Sequence, residues 1–122
     1  MARSKATASV TIASGASLSG AVNLGGKVLT AITIPAAWTA AELSFQASDD
    51  QGTTWYDMFD DGGTEVQIAS ASVVASRRIT LDPSAFAGVD YIKVRSGLTA
   101  AAVNQGADRV LTLTSRKYYA LD

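Results

Sequence analysis

The chain of 122 residues contains no cysteine and no histidine. Without cysteine, no disulfide holds the fold and no thiolate is available as a nucleophile or metal ligand. Without histidine, the commonest general base, the commonest transition-metal ligand and the usual physiological pH switch are missing together. Aromatic residues make up only 7%, although hydrophobic residues reach 48%. Much of that apolar content is alanine, so the expected core is thin and built from small and β-branched side chains. No run approaches the roughly 18 apolar residues of a membrane-spanning helix. The opening "MARSKATASVTIASG" carries positive charge with no apolar segment behind it, unlike a secretory signal. The expectation is one domain, made in the cytoplasm, with no membrane contact.

Charge is present in balance but not in even distribution. The formal net charge is -1, yet no basic residue lies between Lys27 and Arg77, an interval holding Glu42, Asp49, Asp50, Asp57, Asp60, Asp61 and Glu65. An acidic middle between basic flanks suits two surfaces of opposite sign, able to dock copies or another protein. Folding that interleaves the charges is the alternative.

Alternating apolar residues dominate wherever a pattern exists. "ASVTIA" places Ala8, Val10 and Ile12 on one side, and "SLSGAVNL" does the same with Leu18, Gly20, Val22 and Leu24. "GGKVLTAITIP" is apolar on both faces, which suits a central strand ended by Pro35. "ELSFQAS", "TTWYDMF", "TEVQIA", "VVASRRITL", "VDYIKVRSG" and "DRVLTLTSRKYY" continue the series, with "LTAAAVNQGA" expected as an alanine-rich loop. In "AAWTAA", Trp38 is expected to insert under one end of the fold. "DPSAFAG" alone has helix-start chemistry, with Asp82 as N-cap, Pro83 at the first helical position and Gly88 as stop. About eight strands at such spacing predict an all-β antiparallel sandwich or jelly-roll-like barrel with one short helical turn. Residues 10–117 form that domain, residues 1–9 a flexible N-terminal arm and residues 118–122 a C-terminal tail.

One stretch stands out. "SDDQGTTW" carries Ser48, Asp50, Gly52, Thr54 and Trp55 in the pattern Ser-x-Asp-x-Gly-x-Thr-Trp. It resembles the Asp-box of sialidases and other β-propeller proteins, which recurs once per blade away from the catalytic site. Here it occurs once, whereas a propeller needs it several times in a much longer chain. Physically it reads as a structural turn, with side-chain oxygens bonding nearby backbone, Gly52 at positive φ, and Trp55 entering a strand to bury its ring.

"LSFQASDDQGTTWYDMFDDGGTEV", "LDPSAFAGVDYIKVRSG" and "AAAVNQGADRVLTL" together resemble a family of small structural proteins of tailed phages and gene transfer agents. The likeness covers residues from about 10 to 115. It implies a head decoration (cement) or head-spike protein on the virion exterior, bound to the major capsid protein. It also implies a homo-oligomer, a trimer being favoured. The helical turn before a closing strand is similar to that of jelly-roll carbohydrate-binding modules.

Catalysis has little support, since each aspartate of the acidic middle sits in or beside a turn, where that residue is common for backbone reasons. Calcium could use oxygen-rich loops, but the spacing is not that of an EF-hand, and no cofactor or metal is expected. Arg77, Arg78, Lys93, Arg95, Arg109, Arg116 and Lys117 lack the interleaved aromatics of a nucleic-acid surface, so none is expected to bind nucleic acid. Arg3 and Lys5 in the arm and Tyr118, Tyr119 and Leu121 in the tail are the expected capsid contacts. The remaining expectation is a glycan, held by stacking on Trp38, Trp55 or Tyr56.

Overall fold

Strand β1 (Ala6–Ile12) puts its alternation to use: Val10 and Ile12 are buried while Thr7, Ser9 and Thr11 face water. The structure, a computed structural model, describes residues 5–117. The other strands are β2 (Val22–Asn23), β3 (Val28–Thr33), β4 (Leu43–Ser48), β5 (Tyr56–Asp57), β6 (Gln67–Ile68), β7 (Arg78–Thr80), β8 (Tyr91–Leu98), β9 (Ala101–Ala102) and β10 (Arg109–Arg116). They form two antiparallel sheets, one ordered β1-β10-β3-β7 and the other β2-β8-β4-β5, with β6 also on β4 and β9 on β8.

The last two placements explain the topology. Along one edge of β4, Ala47 and Gln46 face Tyr56 and Asp57, and further on Ser44 and Leu43 face Gln67 and Ile68. β5 and β6 are therefore two halves of one edge strand, interrupted by residues 58–66. Counted as one, and with the two-residue hairpin strand β9 left out, the strands lie in the order first-eighth-third-sixth and second-seventh-fourth-fifth, the arrangement of a jelly roll. The all-β sandwich read from the alternation is the observed fold.

Leu29, Ile32, Leu43, Phe45, Ile92, Val94, Leu111 and Leu113 form the centre of the core between the sheets. Leu29 and Ile32 are three apart, which strict alternation forbids on one face. The register resolves this: Thr114 faces Ala31 and Ser115 faces Leu29, so Thr30 is skipped as a bulge and both large side chains reach the core. The helical segment is a single 3-10 turn, Pro83–Phe86, capped by Asp82, whose carboxylate accepts from the Ser84 N–H at 3.0 Å. Its purpose is Phe86, which meets Phe45 edge to face with centroids 5.0 Å apart. Trp38 is half-buried against the core, as expected of it.

Three expectations change. Residues 6–9, assigned to the flexible arm, form the first half of β1 and pair with Leu113 to Ser115 and Thr112 of β10. The alanine-rich loop contains a tight hairpin, with Gly97 opposite Ala102 and Leu98 opposite Ala101. And Trp55 is only half-buried and lies outside the core, because Gln46 pairs with Asp57 and sets the odd residues of β5 on the solvent side of the sheet.

Candidate docking surface

The solvent side of the second sheet gathers a dense set of polar contacts. It begins with the turn at residues 48–55. The Ser48 hydroxyl donates to Asp50 Oδ1 at 2.8 Å and accepts from the Gly52 N–H at 2.9 Å. Asp50 Oδ1 also accepts from the Thr54 N–H at 2.7 Å, and Trp55 Nε1 donates to the Gly52 carbonyl at 2.9 Å. Gln51 and Gly52 both adopt positive φ, 60° and 86°. The side chain and N–H of Thr54, then the Ser48 hydroxyl, hold the Asp50 carboxyl down to about 2. Every member of the motif is thus committed within the turn. The ring of Trp55 is roofed by Lys93 Nζ, 4.4 Å from its centroid.

Ten residues later the same device recurs. Asp60 Oδ1 accepts from the N–H groups of Gly62 and Thr64, both at 2.9 Å, so Asp50-x-Gly-x-Thr54 and Asp60-x-Gly-x-Thr64 share the bond from the fourth residue back to the carboxylate. The second turn is the tip of a small hairpin, 58–66, closed by the Phe59–Glu65 bridge and by the Val66 N–H to Met58 carbonyl bond at 2.9 Å. Phe59 is 53% exposed on it.

Arg95 fixes this hairpin to the sheet. It pairs with Ser44 across the β8–β4 ladder, and only 7% of it is exposed. Its guanidinium donates to Asp57 Oδ1, to Glu65 Oε2 at 3.3 Å, to Thr99 Oγ1 at 2.8 Å and to Ser44 Oγ at 3.2 Å. Thr99 in turn donates its hydroxyl to Glu65 at 2.6 Å, and Gln46 donates to Asp57 at 3.1 Å. The hydrogen bond from Arg95 holds the Asp57 carboxyl below its ordinary value, against the opposing effect of desolvation. A basic residue of the flanks is here neutralised by two carboxylates of the acidic middle, so at this point folding interleaves the charges.

Between the hairpin and the 3-10 turn lies an open groove of about 930 Å³, lined in part by Asp57, Phe59, Asp60, Asp61, Glu65 and Asp82. Among the described residues, no group of three or more carboxylates gathers where it could hold a metal ion. Asp50 and Asp60 spend their inner oxygens on backbone turns, and Asp57 and Glu65 on Arg95. The surface offers acidic edges and an exposed phenyl ring.

Of the expected capsid contacts, Lys5 is exposed just before β1. Arg3, Tyr118, Tyr119 and Leu121 lie outside the described residues. Arg77 and Arg78 are exposed at the opposite sheet, far in sequence and strand order from Lys93 and Arg95, so no single basic strip forms. Sequence reasoning missed Arg95 as a buried hub and Gln105, which is 1% exposed at one end of the sandwich. Gln105 binds both backbone groups of Thr39, at 2.8 and 3.0 Å, and donates to Ser96 Oγ at 2.7 Å. The repeated Asp-x-Gly-x-Thr spacing was the available signal for the hairpin.

No protein-family model matches the chain, and no curated protein does. In fold, the chain is similar to the crystal structure of SPBc2 prophage-derived protein YomS, with a TM-score of 0.51. That likeness covers 92% of this chain and 94% of the other at 15% identity, so it speaks to architecture across both chains.

Proposed function

We propose that the chain is a non-enzymatic structural protein of a phage virion, which binds the outer surface of the capsid as a decoration or cement protein and stabilises the head. The observation that carries this reading is the jelly roll shared, over nearly the whole of both chains, with a prophage-derived protein. The acidic hairpin with its exposed Phe59 supports it, because an apolar anchor inside a charged rim is the usual anatomy of a protein contact. A ligand that binds only the assembled shell stabilises that shell by mass action, at about 2.7 kcal/mol per site when its free concentration is 100 times Kd. Capsids lacking the protein, mixed with the purified chain, should therefore take it up to a fixed copy number and rupture at higher temperature. Capsids that neither retain the chain on sedimentation nor gain stability would reject the reading.

A second reading, a glycan- or receptor-binding module of a spike or fibre, is favoured by the position of Trp55 on the solvent side, where its half-buried ring lies beside Lys93. Trp55→Ala separates the two. With the ring only half-buried, the substitution should cost about 1 kcal/mol in denaturant unfolding, well below a core truncation. Capsid uptake that survives it, with no glycan bound by the parent chain, supports the first reading. Glycan binding that disappears with the ring supports the second.

A further inference from the structure

A sheet edge with free backbone donors and acceptors recruits another strand unless something blocks it. Three of the four edges of this sandwich are blocked. β7 is short and carries Arg78. β2 is shorter still, and its pairing with β8 is interrupted at Gly20 and Ala21, between it and the bridge at Leu18. β5 and β6 are brief halves parted by the 58–66 hairpin. β1 has none of these devices: Ala6–Ile12 runs as 7 residues with no charge, no proline and no bulge against β10.

The direction of its free groups follows from its neighbours. The Ile34 N–H donates to the Arg77 carbonyl on the β7 side, so Thr33, the next residue back, turns its groups toward β10. Thr33 and Thr112 are then a hydrogen-bonded pair, which directs Leu111 and Leu113 toward β1, where they face Val10 and Ala8. Thr7, Ser9 and Thr11 consequently point N–H and C=O at the open edge. Their side chains are exposed, and among the described residues they make no backbone bond beyond the ladder to β10.

We infer that a second copy of this chain pairs with this edge, β1 against β1, antiparallel about a twofold axis at Ser9. In that register Ser9 faces Ser9 and Thr7 faces Thr11, each pair exchanging both backbone bonds, while Ala8 faces Val10 and Ala6 faces Ile12. Buried faces meet buried faces, which a one-residue slip would prevent. A twofold contact sets a strand against itself, so a charged strand would repel its copy; this one carries no charge. Beyond the strand, Lys5 falls opposite the second copy's Ala13, beside Ser14, whose N–H is held by the Asp108 carboxylate at 2.8 Å. A cation thus meets a carboxylate at each end of the interface. The two four-stranded sheets become one, and the 48–66 surface of each copy stays free. The inference stands apart from the capsid reading and replaces the expected trimer with a pair.

Sedimentation equilibrium of the full chain tests it, with circular dichroism as the control for folding. The parent chain should sediment as twice 12.6 kDa. Thr7→Lys with Thr11→Lys sets like charges opposite each other and should weaken pairing roughly tenfold or more, whereas Thr7→Lys with Thr11→Glu sets opposite charges together and should restore it. Both pairs of changes are on exposed positions and leave the β10 ladder intact. A parent chain that is monomeric at about 0.1 mM, because residues 118–122 or nothing at all cover the edge, overturns the inference. So does a trimer indifferent to the charge swap, or a Lys/Glu variant as weak as the Lys/Lys one.

Discussion

Gly97→Ala should destabilise the protein by about 4 kcal/mol, roughly the sum of the left-handed penalty for an L residue and an overpacking cost at the upper end of its range. Gly97 has φ +90°, and a Cβ there would sit 2.5 Å from the Ala101 carbonyl oxygen and 2.6 Å from the Val103 nitrogen. Both are backbone atoms of the β8–β9 hairpin and cannot rotate away as a flexible side chain would. The hairpin would have to open, releasing Thr99 from Glu65 and Arg95. Gly63→Ala is the control: φ is +84° but nothing lies within 4 Å of the added carbon. It should cost only the conformational part, about 1 kcal/mol. Urea unfolding of both variants checks this, and equal losses would mean that strain alone, with no close approach, explains Gly97.

That hairpin also marks the border of what the sequence discloses. Alternation made β1, β4, β8 and β10 legible, because burying one face of a strand is a period-two demand that the residues themselves carry, and β3 was legible as an apolar run ended by Pro35. The Asp82-Pro83 start was legible for the same local reason: cap and φ preference reside in adjacent residues. The segments "TTWYDMF" and "TEVQIA" were read as two strands and do hold β5 and β6, but each shrinks to two residues, and their union into one edge strand is visible only through their common partner β4. The bulge at Thr30 was hidden because a strand apolar on both faces gives no parity to violate. The turn at 48–55 was readable as a set of hydrogen bonds, but the burial of Trp55 was not. Its side of the sheet depends on the Gln46–Asp57 register rather than on the motif. Arg95 was hardest of all, since an arginine in an alternating strand looks like any solvated charge until its partners arrive from Ser44, Asp57, Glu65 and Thr99, up to 51 residues away.

Arg95→Met should cost about 3 kcal/mol at neutral pH, and the loss should shrink on acidification. Removing one member of a buried ion pair leaves an uncompensated charge and costs about 3 to 5 kcal/mol; the lower end applies here because the Asp57 side chain is 31% exposed and water screens it. The methionine chain retains much of the packing of the arginine stem, so the effect reports the charge. The sign with pH follows from which state binds more protons. In the parent protein Arg95 depresses the Asp57 carboxyl, so its contribution is present in full above the unfolded value of about 3.9 and disappears as pH falls through the folded one. In the variant, the Asp57 carboxyl has lost the hydrogen bond that depressed it, so this pH-dependent contribution is absent at every pH. The parent loses this stability below about pH 4 while the variant has none of it to lose, and the two curves converge. Urea midpoints from pH 7 to pH 3 would show the convergence. A gap constant across that range would mean that Arg95 acts through packing alone, and that the hairpin at 58–66 is held by its own turn rather than by the ion pair.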